Sequence, residues 1–156
     1  MEKLGFGGGC HWCTEAVFNS VSIVEKVEQG WIASIGNNSD YSEAVIAHFD
    51  KSRISVDKLV QIHLMTHSCT SQHGMRNKYR SAVYIFDENQ RIEVENAIQQ
   101  NQLYFDNTIV TQILSFRCFK ENSEQYQNYY QKNNGNQFCQ RYIEPKLELI
   151  HTLNIE

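Results

Sequence analysis

The chemistry this chain could do starts at Cys10. Gly7-Gly8-Gly9 delivers that cysteine to what reads as the first turn of a helix, and a second thiol, Cys13, follows three residues on. A thiol attacks only as its thiolate, which the unpaired N–H groups and partial positive charge of a helix N-terminus favour. Glycines just before it let the backbone turn sharply and let a substrate approach. Three chemistries fit the spacing. Cys10-His11-Trp12-Cys13 could be a C-x-x-C thiol-disulfide exchange pair at a strand-to-helix junction, although the single proline, Pro145, leaves no cis-proline to sit opposite it. It could be half of a zinc site completed from His67, Cys69 and His73, whose spacing is not that of a standard knuckle. Or Cys10 could act as a lone nucleophile whose oxidised form is resolved by another cysteine. A phosphate cradle is disfavoured, because no Gly-Lys-Ser/Thr follows the glycines.

The elements that must hold Cys10 follow from hydrophobic periodicity. Lys3 to Phe6 reads as a strand, and Trp12, Ala16, Val17 and Val21 recur at helical spacing behind the nucleophile. Val24 to Ile32 and Ser42 to Phe49 read as strands separated by the polar turn 36–40, the second with Val45, Ala47 and Phe49 on one face. Ser55 is a candidate cap for a helix carrying Val56, Leu59, Val60, His63 and Leu64 on one stripe, which makes His63 a core histidine. A polar loop runs from His67 to Lys78, and Tyr79 to Phe86 is a buried strand. A helix starts near Asp87, Ile109 to Phe116 is a further strand, and Glu121 to Lys132 predicts a helix with Tyr126, Tyr129 and Tyr130 on a core-facing stripe. Cys118, between two phenylalanines, reads as buried and inert. The sequence predicts a single catalytic α+β domain over 1–156. Its mixed β-sheet is flanked by helices on a ferredoxin-like βαβ-type core, and an irregular C-terminal tail over 132–156 carries Cys139 and a short helix after Pro145.

Bulk composition narrows the function. A formal net charge of −4 with no basic block argues against a nucleic-acid or anionic-membrane partner. With no apolar leader pattern and no run approaching the ~20 residues of a membrane span, a cytoplasmic monomer is expected. Five scattered cysteines do not suggest a secreted disulfide framework.

Gly9-Cys10-His11-Trp12-Cys13-Thr14-Glu15-Ala16-Val17-Phe18 closely resembles the signature of the peptide methionine sulfoxide reductase A family, in which Gly-Cys-Phe-Trp opens the first helix. The resemblance continues in order through Ser42-Glu43-Ala44-Val45, Phe49-Asp50, Ile54-Ser55, Tyr79-Arg80-Ser81-Ala82-Val83-Tyr84, Tyr126-Gln127-Asn128-Tyr129-Tyr130 and the Cys139 segment. It implies a reductase returning the S epimer of methionine sulfoxide, free or in proteins, to methionine without a metal or other cofactor. It further implies that Cys10 is the nucleophile, Glu43 the acid and Tyr79 a hydroxyl at the sulfoxide oxygen. Trp12 and His11 then form the substrate wall, Cys139 resolves the sulfenic acid with Cys13 as its competitor, and a thioredoxin-like dithiol is the reductant. The alternatives are a C-x-x-C oxidoreductase using Cys10 and Cys13, and a non-enzymatic metal- or redox-binding module. Three positions depart from the family pattern. His11 stands where the family has Phe. The segment between Trp31 and Glu43 is short and lacks the family's second substrate Tyr, Tyr41 being too close to Glu43 to be assumed its equivalent. No acid lies between Thr70 and Tyr79, where Asn77 or His73 would have to supply polar contacts.

Overall fold

The computed structural model describes residues 1–72 and 74–153. Its elements are β1 (Glu2–Gly7), α1 (His11–Asn19), β2 (Lys26–Ala33), β3 (Ser42–Phe49), α2 (Val56–Met65), β4 (Ala82–Ile85), α3 (Asn89–Asn101), β5 (Gln112–Ser115), β6 (Cys118–Glu121), α4 (Tyr129–Asn133) and α5 (Glu144–Thr152). The strands form one open sheet in the order β5-β4-β1-β3-β2-β6. Its central four strands, β4-β1-β3-β2, pair antiparallel throughout and are linked through α1 and α2, which is the expected ferredoxin-like βαββαβ core. The parallel β4–β5 pair makes the sheet mixed.

Alternation along the strands divides the molecule into layers. Leu4, Phe6, Val45, Ala47, Phe49, Val83 and Ile85 bury one face under Val17 and Phe18 of α1, Leu59 and Ile62 of α2, and Val94 and Ala97 of α3. On the opposite face Ile32, Ala44, Ile46 and Tyr84 pack with Leu114, Phe116 and Phe119. Ser55 caps α2 by accepting the Lys58 N–H at 3.2 Å. His63 is a core histidine, its Nε2 2.7 Å from the Gly7 carbonyl oxygen, and Cys69 is also in this core.

Three expectations fail toward the C-terminus. The helix predicted from Glu121 is instead the end of β6, a 3-10 turn over Glu124–Tyr126 and the short α4. What interrupts it is Asn128, held in the left-handed region at φ 54°, where Asn is among the few residues tolerated. Tyr126 is 40% exposed and so not a core residue. Cys118 is only half buried, on edge strand β6, with its sulfur 3.3 Å from the Tyr41 hydroxyl. The tail is not irregular either: Cys139–Ile143 forms a π-helical turn that runs into α5. Cys139 and Ile143 are wholly buried there, against Cys13 and Ala16 of α1.

Candidate active site

Cys10 is the N-cap of α1, its backbone extended while its carbonyl already accepts the Thr14 N–H at 3.2 Å. The thiol is held below its ordinary pKa, chiefly by a hydrogen bond from the Cys13 thiol. Burial opposes this and the Glu43 charge opposes it further. The Trp12 and Cys13 amides, which lie at the open end of the helix without closing a full capping bond, add to the lowering. Cys13 is pushed up correspondingly, by that same bond to Cys10 and by burial. The shared hydrogen bond thus splits the pair, making the Cys10 thiol more readily ionised than an ordinary thiol and the Cys13 thiol less so.

The preceding glycines are set by contact. A Cβ on Gly7 would lie 3.0 Å from the carbonyl oxygens of both Arg80 and Glu43, and one on Gly8 would lie 2.4 Å from the His67 ring. Arg76 fastens this turn to the loop before β4, donating to the carbonyls of Gly8 at 3.0 Å, Tyr79 at 2.9 Å and Ser71 at 2.9 Å. Ser42 ties the same loop to β3 by donating to the Lys78 carbonyl and accepting from the Arg80 N–H. Tyr79 and Glu43 are thereby brought beside Cys10.

Glu43 is 6% exposed. Its Oε1 accepts the His11 backbone N–H at 3.2 Å, and its Oε2 lies 3.6 Å from Lys78 Nζ. A cavity of about 320 Å³ is lined by Cys10, His11, Trp12, Glu43, Lys78, Tyr79 and Phe138. A second, of about 270 Å³, also opens on Cys10, Tyr79 and Phe138 and continues past Cys13, Thr14, Thr66, His67, Tyr142 and Lys146. Trp12 lies face to face with Tyr129 and edge-on to Phe138, so the wall of the first cavity is aromatic. An apolar wall suits a thioether methyl group, and a carboxyl with a phenol suits a polar oxygen.

All the expected site residues except Cys139 line these cavities; Cys139 lies behind Cys13, buried, its thiol pushed up by burial. Of the two residues offered for the missing acid's polar contacts, Asn77 does not line these cavities. Tyr41 is exposed and pairs with Cys118, and Asn77 lines a different pocket with Asn38 and Arg80; His73 falls outside the described residues. Three contributors escaped the sequence reading. Lys78 stands beside Glu43 and Arg76 clamps the loop. The third is Glu15, which is 1% exposed and accepts the Asn128 and Tyr129 N–H groups at 2.9 and 3.2 Å and Gln29 Nε2 at 3.0 Å. Glu15 was visible only as an acid in the first helix, with nothing to mark it as buried. Among the described residues no helix is long and apolar enough to cross a membrane.

Comparison with known proteins places the chain in a family. A family model described as peptide methionine sulfoxide reductase matches residues 2–155. The chain is 32% identical over 166 residues to the peptide methionine sulfoxide reductase MsrA of Acinetobacter baumannii (strain AYE), covering 97% of this chain and 95% of that protein. It is also 32% identical over 164 residues to the MsrA of Trichodesmium erythraeum (strain IMS101), covering 95% and 93%. Among solved structures the fold is similar to reduced Mxr1 from Saccharomyces cerevisiae, with TM-score 0.76, 18% identity and 88% of each chain covered. It is likewise similar to Mxr1 in complex with Trx2, with TM-score 0.66, 18% identity and coverage of 82% and 84%. A family match over nearly the whole chain and relatives above 30% identity along nearly all of it lead to one conclusion: the chain belongs to the peptide methionine sulfoxide reductase family, and is an oxidoreductase.

Proposed function

We propose that the protein reduces the S epimer of methionine sulfoxide, free or in proteins, with Cys10 as nucleophile, Glu43 as acid and Tyr79 as a donor to the sulfoxide oxygen. The observation that carries the reading is the shared cavity: a thiol held toward thiolate lies with a buried carboxyl and a phenol under an aromatic wall. Cys10 attacks the sulfoxide sulfur, Glu43 protonates the oxygen, and the oxygen ends on Cys10 as a sulfenic acid while the sulfide leaves. Trp12, braced by Tyr129, seats the methyl group with Phe138, and His11 lines the wall beside Glu43.

The hydrogen bond between the two thiols favours Cys13 as the first to condense with the sulfenic acid, giving a Cys10–Cys13 disulfide and water. Cys139, which packs in the same cluster as Cys13, is the follow-on thiol, taking the disulfide over by exchange. A thioredoxin-like dithiol then restores the thiols. The likeness to Mxr1, which has been solved with Trx2, supports that choice of reductant. A stand-alone C-x-x-C oxidoreductase would leave the buried Glu43 and the aromatic wall without a task.

Resolved S and R sulfoxides given to the reduced protein and to Cys10→Ser, Glu43→Gln, Cys13→Ser and Cys139→Ser test the scheme. Turnover of the S epimer alone, its loss in Cys10→Ser and a trapped sulfenic acid in Cys13→Ser are expected. Equal use of both epimers would remove the S assignment. A sulfenic acid trapped only in Cys139→Ser would make Cys139 the first resolving thiol.

A further inference from the structure

Lys146 stands where a cation has little local reason to be. It follows Pro145 in the first turn of α5, where the positive end of the helix opposes an ammonium. The side chain is half-buried, and taking a charge out of water is costly unless it is paired. Yet its Nζ donates to the neutral Thr66 carbonyl and, among the described residues, forms no ion pair with a carboxylate. Its neighbours are thiols instead. Lys146 lines, with Cys10 and Cys13, the cavity of about 270 Å³ in which Glu43 has no part. Burial lowers the pKa of the ammonium, and the charges of Cys13 and Cys10 pull it back up.

We propose that Lys146 is a positioning residue for the resolving step, its ammonium stabilising, across the shared cavity, the Cys13 thiolate that attacks the Cys10 sulfenic acid. The inference rests on Cys13 being the first resolving thiol. In the reduced protein Cys13 is pushed up first by its hydrogen bond to Cys10, then by burial and by the Cys10 charge, and the Lys146 charge works against all three. Oxygen transfer turns Cys10 into a neutral sulfenic acid, which removes the Cys10 charge and leaves the ammonium in place. In the step itself Cys13 gives up its proton and its sulfur attacks the Cys10 sulfur. The S–S bond forms, the Cys10 S–O bond breaks, and the hydroxyl leaves with a proton as water. The Cys10 sulfur is reduced and the Cys13 sulfur oxidised to the same disulfide level, so no outside oxidant or reductant enters, and Lys146 ends the step still protonated. The other titratable groups around the pair are His67, Tyr79 and Tyr142 on the cavity wall, and Cys139 with the Glu144 charge behind Cys13. His67, held to about 4 by burial, is neutral at working pH, as is His63 stacked on it, and Arg76 is the fixed positive charge beyond them.

The test is the lifetime of the Cys10 sulfenic acid after a single turnover of an S-sulfoxide, read by timed dimedone trapping and mass spectrometry, in the full chain and in Lys146→Gln and Lys146→Arg. Lys146→Gln keeps a donor for the Thr66 carbonyl without the charge. Its sulfenic acid should persist about three- to tenfold longer at neutral pH, and Lys146→Arg, which keeps the charge, should recover most of the difference. Alkylation of Cys13 by iodoacetamide in a Cys10→Ser chain separates charge from packing: Lys146→Gln should slow it, whereas a loosened α5 would speed it. An unchanged lifetime, an equal delay in Lys146→Arg or faster alkylation overturns the proposal. Should Lys146→Gln fold poorly, Lys146→Met, which fills the same space, takes its place. Resolution at the wild-type rate in Cys13→Ser would defeat Cys13 as the first resolving thiol. A trapped sulfenic acid in Cys13→Ser with a wild-type lifetime in Lys146→Gln would defeat only the role of Lys146.

Discussion

Trp12 and Tyr129 lie face to face, their ring centroids 3.9 Å apart and their planes within 2° of parallel. More than a hundred residues separate them, and Tyr129 braces the Trp12 ring that forms part of the cavity wall beside Cys10. An offset aromatic pair is worth about 0.5–1.5 kcal/mol beyond its buried area. Tyr129→Ala should therefore raise KM for methionine sulfoxide about three- to tenfold while the single-turnover rate at saturation changes less. Steady-state kinetics on free and peptide substrates check this.

Behind that stack, Glu15 takes three hydrogen bonds from Gln29 and from the Asn128 and Tyr129 amides. Glu15→Ala leaves all three donors unpaired in a buried site, at a cost of about 3 kcal/mol. Urea unfolding should show that loss, together with the KM rise of Tyr129→Ala, whereas Glu15→Gln, which keeps one acceptor oxygen, should lose less of both.

The lowered pKa of Cys10 comes first from Cys13. Thiolate at Cys10 consequently persists to lower pH than in an ordinary thiol, and removing the donor reverses this. In a Cys139→Ser background, alkylation of Cys10 should rise at higher pH in Cys13→Ala than with Cys13 intact, and Cys13→Ser, with a hydroxyl donor, should fall between. Mass spectrometry of iodoacetamide-treated protein over a pH series gives the midpoints.

Burial pushes His67 down to about 4 from an ordinary 6.5, and drives its stacked neighbour His63 well below the same value. As pH falls through 6.5 the unfolded chain takes up protons that the folded one refuses, so stability is lost between there and about 4. For His67 the full loss is about 3 kcal/mol. Denaturant midpoints measured from neutral to acid pH should fall accordingly, and His67→Gln should flatten part of the slope.

Gly30 meets the β6 backbone so closely that a Cβ would stand 2.1 Å from the Lys120 carbonyl oxygen. Gly30→Ala must push β6 away and should cost about 1–3 kcal/mol. Gly9→Ala, where a Cβ has nothing within 4 Å, should stay within about 0.5 kcal/mol. Thermal unfolding of the two variants side by side gives the contrast.

Much of this was legible before any coordinates. The glycine run, Cys10 at the start of α1 and the strand 42–49 needed only local pattern, because each is set by neighbours in the chain. The region after residue 116 was not, and the reason is physical. Tyr126, Tyr129 and Tyr130 have helical spacing, yet the chain there is pulled into a 3-10 turn and the left-handed Asn128 by Glu15 and Gln29, more than ninety residues away. Cys139 was expected in an irregular tail, but Ile143 and the α1 surface bury it. Lys78 read as one more loop lysine, and its place beside Glu43 follows from the loop before β4 being pinned to β3 by the Glu43 N–H and the Ser42 hydroxyl, both donating to the Lys78 carbonyl.

The strand that leads into the Cys10 turn, β1, sits in the middle of the sheet, between β3 and β4. During synthesis it precedes both partners: β3 is complete at residue 49, and β4 only at residue 85. Glu43 and Tyr79 arrive with those same partners, and Tyr129 later still. A chain that stops short of those residues carries the Cys10 thiol beside Cys13 but without Glu43, Tyr79 or Phe138, so the cavity around the sulfur is assembled only as the sheet and the segments after it close over it.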